Sequence, residues 1–377
     1  MEIYLDNSAT TRICSEAAEK MTLIINNIYG NPSSLHSKGL EAEHELNIAR
    51  KAVADSLSVD VKEIFFTSGG TEANNLAVFG AARARKRRGN KIVTTSVEHS
   101  SVFESCKALE EEGFEVEYIT PGADGCVSEE QLYAAIDENT VLVTVMAVNN
   151  ETGAIFPIGA VRSIINRKNS PALFHCDAVQ AYGKLPVKPY KIACDLLTVS
   201  AHKIHGPKGT GALFIKKGTH IKPIVYGGEQ EMKIRPGTEA LPLIGGFGAA
   251  VENIGDVREN YLKMWKLRDY AVKKLLAIDG VEINSPANSL PCIINISAVG
   301  VRSETMLHFL EKKNIFVSSG SACSKGKKSH VLSALGLPIE RQDSAIRVSF
   351  SKYSSKEEID ELAKAVEEGL KTLVKSV

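Results

Sequence analysis

No apolar run in this 377-residue chain approaches the roughly 18 residues needed to cross a bilayer, so no membrane span is expected. Net charge is absent too: 45 Lys and Arg balance 45 Asp and Glu. Nothing global therefore recruits nucleic acid or an anionic membrane, and no direct nucleic-acid contact is expected. No C-x-x-C occurs. The seven cysteines, Cys14, Cys106, Cys126, Cys176, Cys194, Cys292 and Cys323, are odd in number and scattered. That excludes a disulfide framework and fits a reducing cytoplasm. The opening MEIYLDNSATTR has neither a secretory h-region nor the make-up of a transit peptide. Repeats and low-complexity tracts are missing as well.

What is present is an alternation. Short β-branched runs appear at residues 63–68, 91–96, 115–120, 141–148, 172–177, 196–201 and 212–217. Several are almost wholly apolar, as strands covered on both faces must be. Helix-like stretches at 72–88, 100–112 and 128–138 separate them. This predicts an α/β fold with a mostly parallel, seven-stranded, doubly wound sheet. After about residue 250 the rhythm changes. Residues 250–278 read as one connecting helix, followed by strands at 291–297, 315–320 and 345–350 and a helix near 303–313. A final helix opens with Ser355 and Glu358 in capping-box spacing. The expected division is a large domain, 14–250, and a smaller α+β domain, 1–13 and 251–377. A basic run, RARKRR at 83–88, reads as a solvated helix end, with docking of RNA or an acidic partner as the alternative.

Polar residues cluster where these strands end, which is where open α/β sheets bind ligands. After the first strand, Ser68-Gly69-Gly70-Thr71 enters a helix, and a helix start presents free N–H groups to an anion. No Gly-Lys-Ser/Thr follows, so this is not a Walker A loop. It is either a phosphate cradle or a plain strand–turn–helix joint. His99 follows the strand at 91–96, and Asn150 the strand at 141–148. Asp177 ends another strand, with Gln180 three residues on. It reads as a partner for a cationic ring nitrogen or as a helix N-cap. Ser200, His202 and Lys203 close the set. A lysine in a desolvated pocket has a lowered pKa and forms Schiff bases; Lys208 in GPKGTG is a second candidate. The spacing of His175, Cys176, Cys194, His202 and His205 matches no common zinc pattern. An anion cradle, a carboxylate, a lysine amine and a flat imidazole are the parts of a pyridoxal-phosphate site.

With those parts assembled, the chain resembles the cysteine desulfurases, in the class-V aminotransferase branch of the fold-type-I pyridoxal 5'-phosphate enzymes. The resemblance runs nearly end to end. It is carried by YLDNSATT (4–11), GNPSSLH (30–36), TSGGTEANN (67–75), VEHSS (97–101), VNNETG (148–153), HCDAVQAYGK (175–184), SAHKIHGPKGTGAL (200–213), GGEQEMKIRPGTE (227–239), SGSACSKG (319–326) and IRVSF (346–350). It implies that Lys203 is the Schiff-base lysine, Asp177 pairs with the pyridinium nitrogen and Gln180 reaches the ring hydroxyl. His99 would stack on the ring and shuttle protons. Asn150 would touch cofactor or substrate carboxylate. Gly70, Thr71, Ser200 and His202 would hold the phosphate. Thr238 would reach the phosphate of the other subunit, which implies a homodimer. Arg347 would clamp the substrate carboxylate, a task that suits a bidentate guanidinium.

Cys323 would be the nucleophile, taking sulfur from L-cysteine, releasing L-alanine and passing its persulfide to an acceptor. The SGSACS setting resembles the long-loop group tied to iron–sulfur assembly and tRNA thiolation. An iron–sulfur scaffold or tRNA-thiolation enzyme is then the expected sulfur-acceptor protein, with no resident metal beyond a transient iron–sulfur contact at Cys323. Gly320 and Gly326 flank Cys323, so weak order is expected over about 318–330. Chains of this group often run further past IRVSF, which leaves the scaffold partner open. Selenocysteine lyase and aminotransferase chemistry remain as alternatives on the same cofactor site.

Overall fold

The structure, a computed structural model, describes residues 2–122, 125–319 and 329–373. Among these, thirteen strands form in chain order. The first eight are β1 (Ile3–Tyr4), β2 (Ile64–Thr67), β3 (Lys91–Thr95), β4 (Glu115–Ile119), β5 (Thr140–Met146), β6 (Leu173–Asp177), β7 (Leu196–Ser200) and β8 (Gly211–Ile215). The rest are β9 (Val281–Ile283), β10 (Ile293–Ala298), β11 (Ile315–Phe316), β12 (Ser318–Ser319) and β13 (Ala345–Ser349). Strands β2 to β8 build one seven-stranded sheet in the order β2-β8-β7-β6-β5-β3-β4. From β7 to β4 every neighbouring pair is parallel, and β8 alone runs against the rest. The expected α/β sheet is what forms.

Successive strand residues point to opposite faces, and here both faces are apolar. Phe65, Ile92, Leu142, Leu173, Leu196 and Leu213 enter one core with the helices Gly70–Arg85 and Ser100–Glu111. Phe66, Val93, Val143, Phe174, Leu197 and Phe214 enter the other. Burying each such side chain contributes about 1.5–3 kcal/mol. Unpaired polar groups are costly on these faces, which leaves the strand ends to carry the chemistry.

A second, antiparallel sheet has the order β12-β13-β10-β9, and β1 pairs with β11 in parallel. The final helix, Lys356–Thr372, has the expected capping box between Ser355 and Glu358 and buries Ile359, Leu362 and Val366. The single helix expected over 250–278 is two, Leu241–Glu252 and Val257–Leu276. Gly255 adopts φ 75° between them, and the Asp256 carboxylate accepts the Glu259 N–H at 2.8 Å. A positive-φ glycine followed by an N-cap ends one helix and starts another. The basic run is partly used within the chain. Its helix ends at Arg85, Arg83 pairs with Glu112 at 3.0 Å, and Lys86 donates to the Glu112 carbonyl at 2.8 Å. No helix among the described residues is long and apolar enough to cross a membrane.

Candidate active site

A cavity of about 720 Å³ opens at the carboxyl ends of the parallel strands. Gly70 and Thr71 reach it after β2 and His99 after β3. Asn150 follows β5, while Asp177 ends β6 and Gln180 stands just beyond. His202 and Lys203 enter after β7, and Arg347 enters from β13. The residues singled out at five strand ends therefore meet in one place. Ser200 lies beneath this group, fully buried. Thr238 is exposed. Cys323 and the loop order expected of it lie outside the described residues.

The cradle is built from backbone. Gly69 has φ 147°, which a side chain rarely tolerates, and it stands at the N-cap of the helix Gly70–Arg85. The first N–H groups of that helix have no intrahelical acceptor. A Cβ on Gly70 would lie 2.9 Å from Val179 Cγ2 and 3.7 Å from Ser200 Cβ. Ser200 Oγ is buried there without a hydrogen-bond partner among the described residues. A tight backbone turn, free helix N–H groups and an orphaned hydroxyl are what an anion such as phosphate would satisfy.

Asp177 is held from two sides: Val179 N–H donates to Oδ1 at 3.0 Å, and Asn74 Nδ2 donates to Oδ2 at 2.8 Å. Lys203 Nζ donates to the carbonyls of Ser8 and, at 2.8 Å, Ala9. Burial, then the charges of Lys184 and Arg347, lower its pKa to about 7, against the pull of Asp6 and Asp177. Gln180 Nε2 donates to the same Ser8 carbonyl at 3.0 Å. His202 contacts Thr10 Oγ1 at 3.3 Å, and burial takes its pKa down to about 4. The imidazole of His99 is likewise shifted down, first by burial.

Arg347 is 3% exposed. Its Nη2 donates to Asp6 Oδ1 at 2.9 Å and its Nη1 to the Asn150 carbonyl at 3.0 Å, while Nε is buried without a partner among the described residues. Sequence reasoning missed Asp6, Asn74 and Ser101. Glu151 stands out in the sequence as a polar residue after the strand at 141–148 but without a role there; its Oε2 accepts from Ser329 Oγ at 2.5 Å. Burial raises the Glu151 carboxyl to about 7, against the hydrogen bond from Ser329 and the charge of Arg347. Of the residues missed, only Asn74 carried a local signal: it is a polar residue on a helix face otherwise made of Ala73, Leu76 and Ala77.

The model of the aminotransferase class-V family matches residues 3–362. The chain belongs to that family. Its members are pyridoxal-phosphate enzymes. A cysteine desulfurase IscS of Methanosarcina thermophila is 40% identical over 370 residues, covering 97% of this chain and 91% of that protein. A solved NifS-like protein superposes with a TM-score of 0.94 at 39% identity, over 99% of this chain and 100% of that one. A structure described as SspA in complex with cysteine gives 0.82 at 32% identity, over 94% and 100%. The family's cofactor fits the donors present. The orphaned Ser200 hydroxyl and the Gly70 cradle suit its phosphate, Asp177 suits a ring nitrogen, and the depressed Lys203 amine suits its aldehyde.

Proposed function

We propose that this chain is a pyridoxal-phosphate-dependent cysteine desulfurase, taking sulfur from L-cysteine, releasing L-alanine and holding the sulfur as a persulfide on Cys323. One observation carries the choice of Cys323. The cavity that gathers Lys203, Asp177 and Arg347 is bordered by both flanks of the segment bearing it. Ser318 pairs with Arg347 across β12 and β13, and Ser329 lines the cavity. Cys323 is four residues beyond Ser319, so the chain allows at most about 14 Å between their Cα atoms.

Lys203 would hold the cofactor covalently, Asp177 would face its ring nitrogen, and Gly70, Thr71, Ser200 and His202 would take its phosphate. Bound there, the cofactor draws electron density from the substrate α-carbon and so weakens first its C–H and then the C–S bond. The rest falls to side chains. Arg347 has a buried Nε with no partner among the described residues to offer the substrate carboxylate, and a carboxylate that used the whole fork would compete with Asp6. Lys203, its amine pKa lowered to about 7 by burial, would take the α-proton. The Cys323 thiolate forms an S–S bond to the substrate sulfur as the C–S bond breaks, and the carbon keeps the electron pair until it is protonated. Residues 14–250 would carry the cofactor, with residues 1–13 and 251–377 bringing the clamp and the cysteine. Thr238, exposed in one chain, would reach the phosphate of a second copy in a homodimer. An iron–sulfur scaffold or tRNA-thiolation protein would accept the sulfur.

The test incubates the purified, cofactor-loaded protein with L-cysteine and measures alanine together with a 32 Da gain, about one sulfur atom, on the Cys323 peptide. Cys323→Ala should keep the visible band of bound cofactor and lose both products. A variant that still releases alanine would point to a lyase, and one that consumes L-cysteine without releasing alanine to an aminotransferase. A protein that stays colourless with added pyridoxal phosphate would end the reading.

A further inference from the structure

A chain of hydrogen bonds runs along the cavity wall from Asp177 to His99. Asn74 Nδ2 donates to Asp177 Oδ2 at 2.8 Å and to Ser101 Oγ at 2.8 Å. Ser101 Oγ lies 2.8 Å from His99 Nδ1, and the Ser101 backbone N–H donates to the same Nδ1 at 3.2 Å. Asn74 and Ser101 are buried side chains of the cavity lining.

Donor counting fixes the protons along this chain. A carboxylate only accepts, so the Asn74 amide must turn its NH₂ to Asp177. That NH₂ has two protons, and the second goes to Ser101 Oγ. The Ser101 hydroxyl therefore accepts from Asn74 and has one proton to give. A backbone N–H can only donate, so Nδ1 of His99 must present a lone pair. The hydroxyl proton of Ser101 then completes a second donation to it.

We infer that Asn74 and Ser101 are positioning residues that hold His99 as the neutral tautomer with its proton on Nε2, so that the cavity meets a hydrogen-bond donor and not a base. The catalytic meaning rests on the desulfurase reading: the α-proton then falls to Lys203, and His99 serves as a donor to cofactor or substrate. The environment agrees. Among the charged groups facing His99, Lys203 and His330 oppose its protonation, Asp177 favours it, and burial outweighs all three. A charged imidazole would also have to aim an Nδ1 proton at the Ser101 N–H.

The tautomer is read directly by ¹⁵N NMR of the holoenzyme labelled at its nine histidines, with His99→Gln identifying the signal. The expected result is an unprotonated Nδ1 and a protonated Nε2 near pH 7. Ser101→Ala removes one neutral donor and should shift the tautomer ratio, and the His99 protonation constant toward the charged form, by about fivefold. Asn74→Ala should do the same, because the hydroxyl is then free to reverse. Ser101→Thr should restore the wild-type values. A protonated Nδ1 in the wild type overturns the inference. So do unchanged His99 tautomer and titration in both alanine variants. The measurement needs no turnover of L-cysteine, so it stands or falls separately from the desulfurase assay.

Discussion

Glu98 precedes His99 in VEHSS and is fully buried. Its Oε1 accepts from Thr95 Oγ1 at 2.8 Å and from the Met146 N–H at 3.0 Å, which ties the end of β3 to the end of β5. Its Oε2 is buried with no partner among the described residues. Burial raises its pKa from an ordinary 4.5 to about 8, opposed by those two bonds. The folded chain therefore binds a proton here that the unfolded chain has released, across the window from about pH 4.5 to about pH 8. Stability falls as pH rises through that window, because the native state holds more protons than the unfolded one. At most about 1.4 kcal/mol is lost per pH unit, and about 5 kcal/mol over the whole window. Glu98→Gln keeps an acceptor for both bonds and removes the titration. Its NH₂ replaces the unpartnered oxygen, at a cost of about 1–3 kcal/mol at any pH. Urea denaturation of the holoenzyme at fixed protein concentration should then find the variant weaker at pH 5.5. By pH 8.5 it should have gained about 3 kcal/mol on the wild type. Glu151 titrates in both proteins, and its contribution cancels in the difference. A stability difference that is the same at both pH values would refute the protonated buried carboxyl.

Arg347→Lys keeps the charge and loses the planar fork. It should raise KM for L-cysteine about 10- to 100-fold, the loss of one charged hydrogen bond, with a smaller change in kcat; an unchanged KM would remove Arg347 from substrate binding. The low pKa of Lys203 gives a second prediction. Its free amine form grows as pH rises through about 7, so the rate at which apoenzyme captures pyridoxal phosphate should rise through that pH and level off above it. Borohydride reduction followed by mass analysis of the Lys203 peptide measures it, and a rate still climbing steeply at pH 9 would contradict the depressed amine.

The parts of the site that were legible in the sequence are those that sit within a few residues of a strand end. Gly70, His99, Asn150, Asp177 and Lys203 each follow an apolar run, and that local signal places them all on one edge once the sheet is parallel. The direction of β8 had a weaker signal. Residues 201–210 join it to β7, shorter than the roughly dozen residues a parallel crossover needs. The helix break at 253–256 was written in Gly255 and Asp256 but was overridden by a continuing apolar rhythm. The second layer of the site has no such markers. Asn74 acts through partners 27 and 103 residues away, and Asp6 meets Arg347 across 341 residues. No local pattern encodes contacts at that range.

The stretch YLDNSATT shows what such contacts add. Asn7 and Ser8 bond to Ser349 of β13, two residues past Arg347. Asp6 holds the Arg347 guanidinium, the Ser8 and Ala9 carbonyls receive the Lys203 ammonium, and Thr11 bonds to the His202 carbonyl. One short segment thus joins the carboxylate clamp to the reactive lysine. A substrate carboxylate that displaced Asp6 from Arg347 would leave that acid facing Lys203, whose charged form it favours. Substrate binding at Arg347 and the proton affinity of Lys203 are then coupled through Asp6, as linkage requires of any group that both sites share.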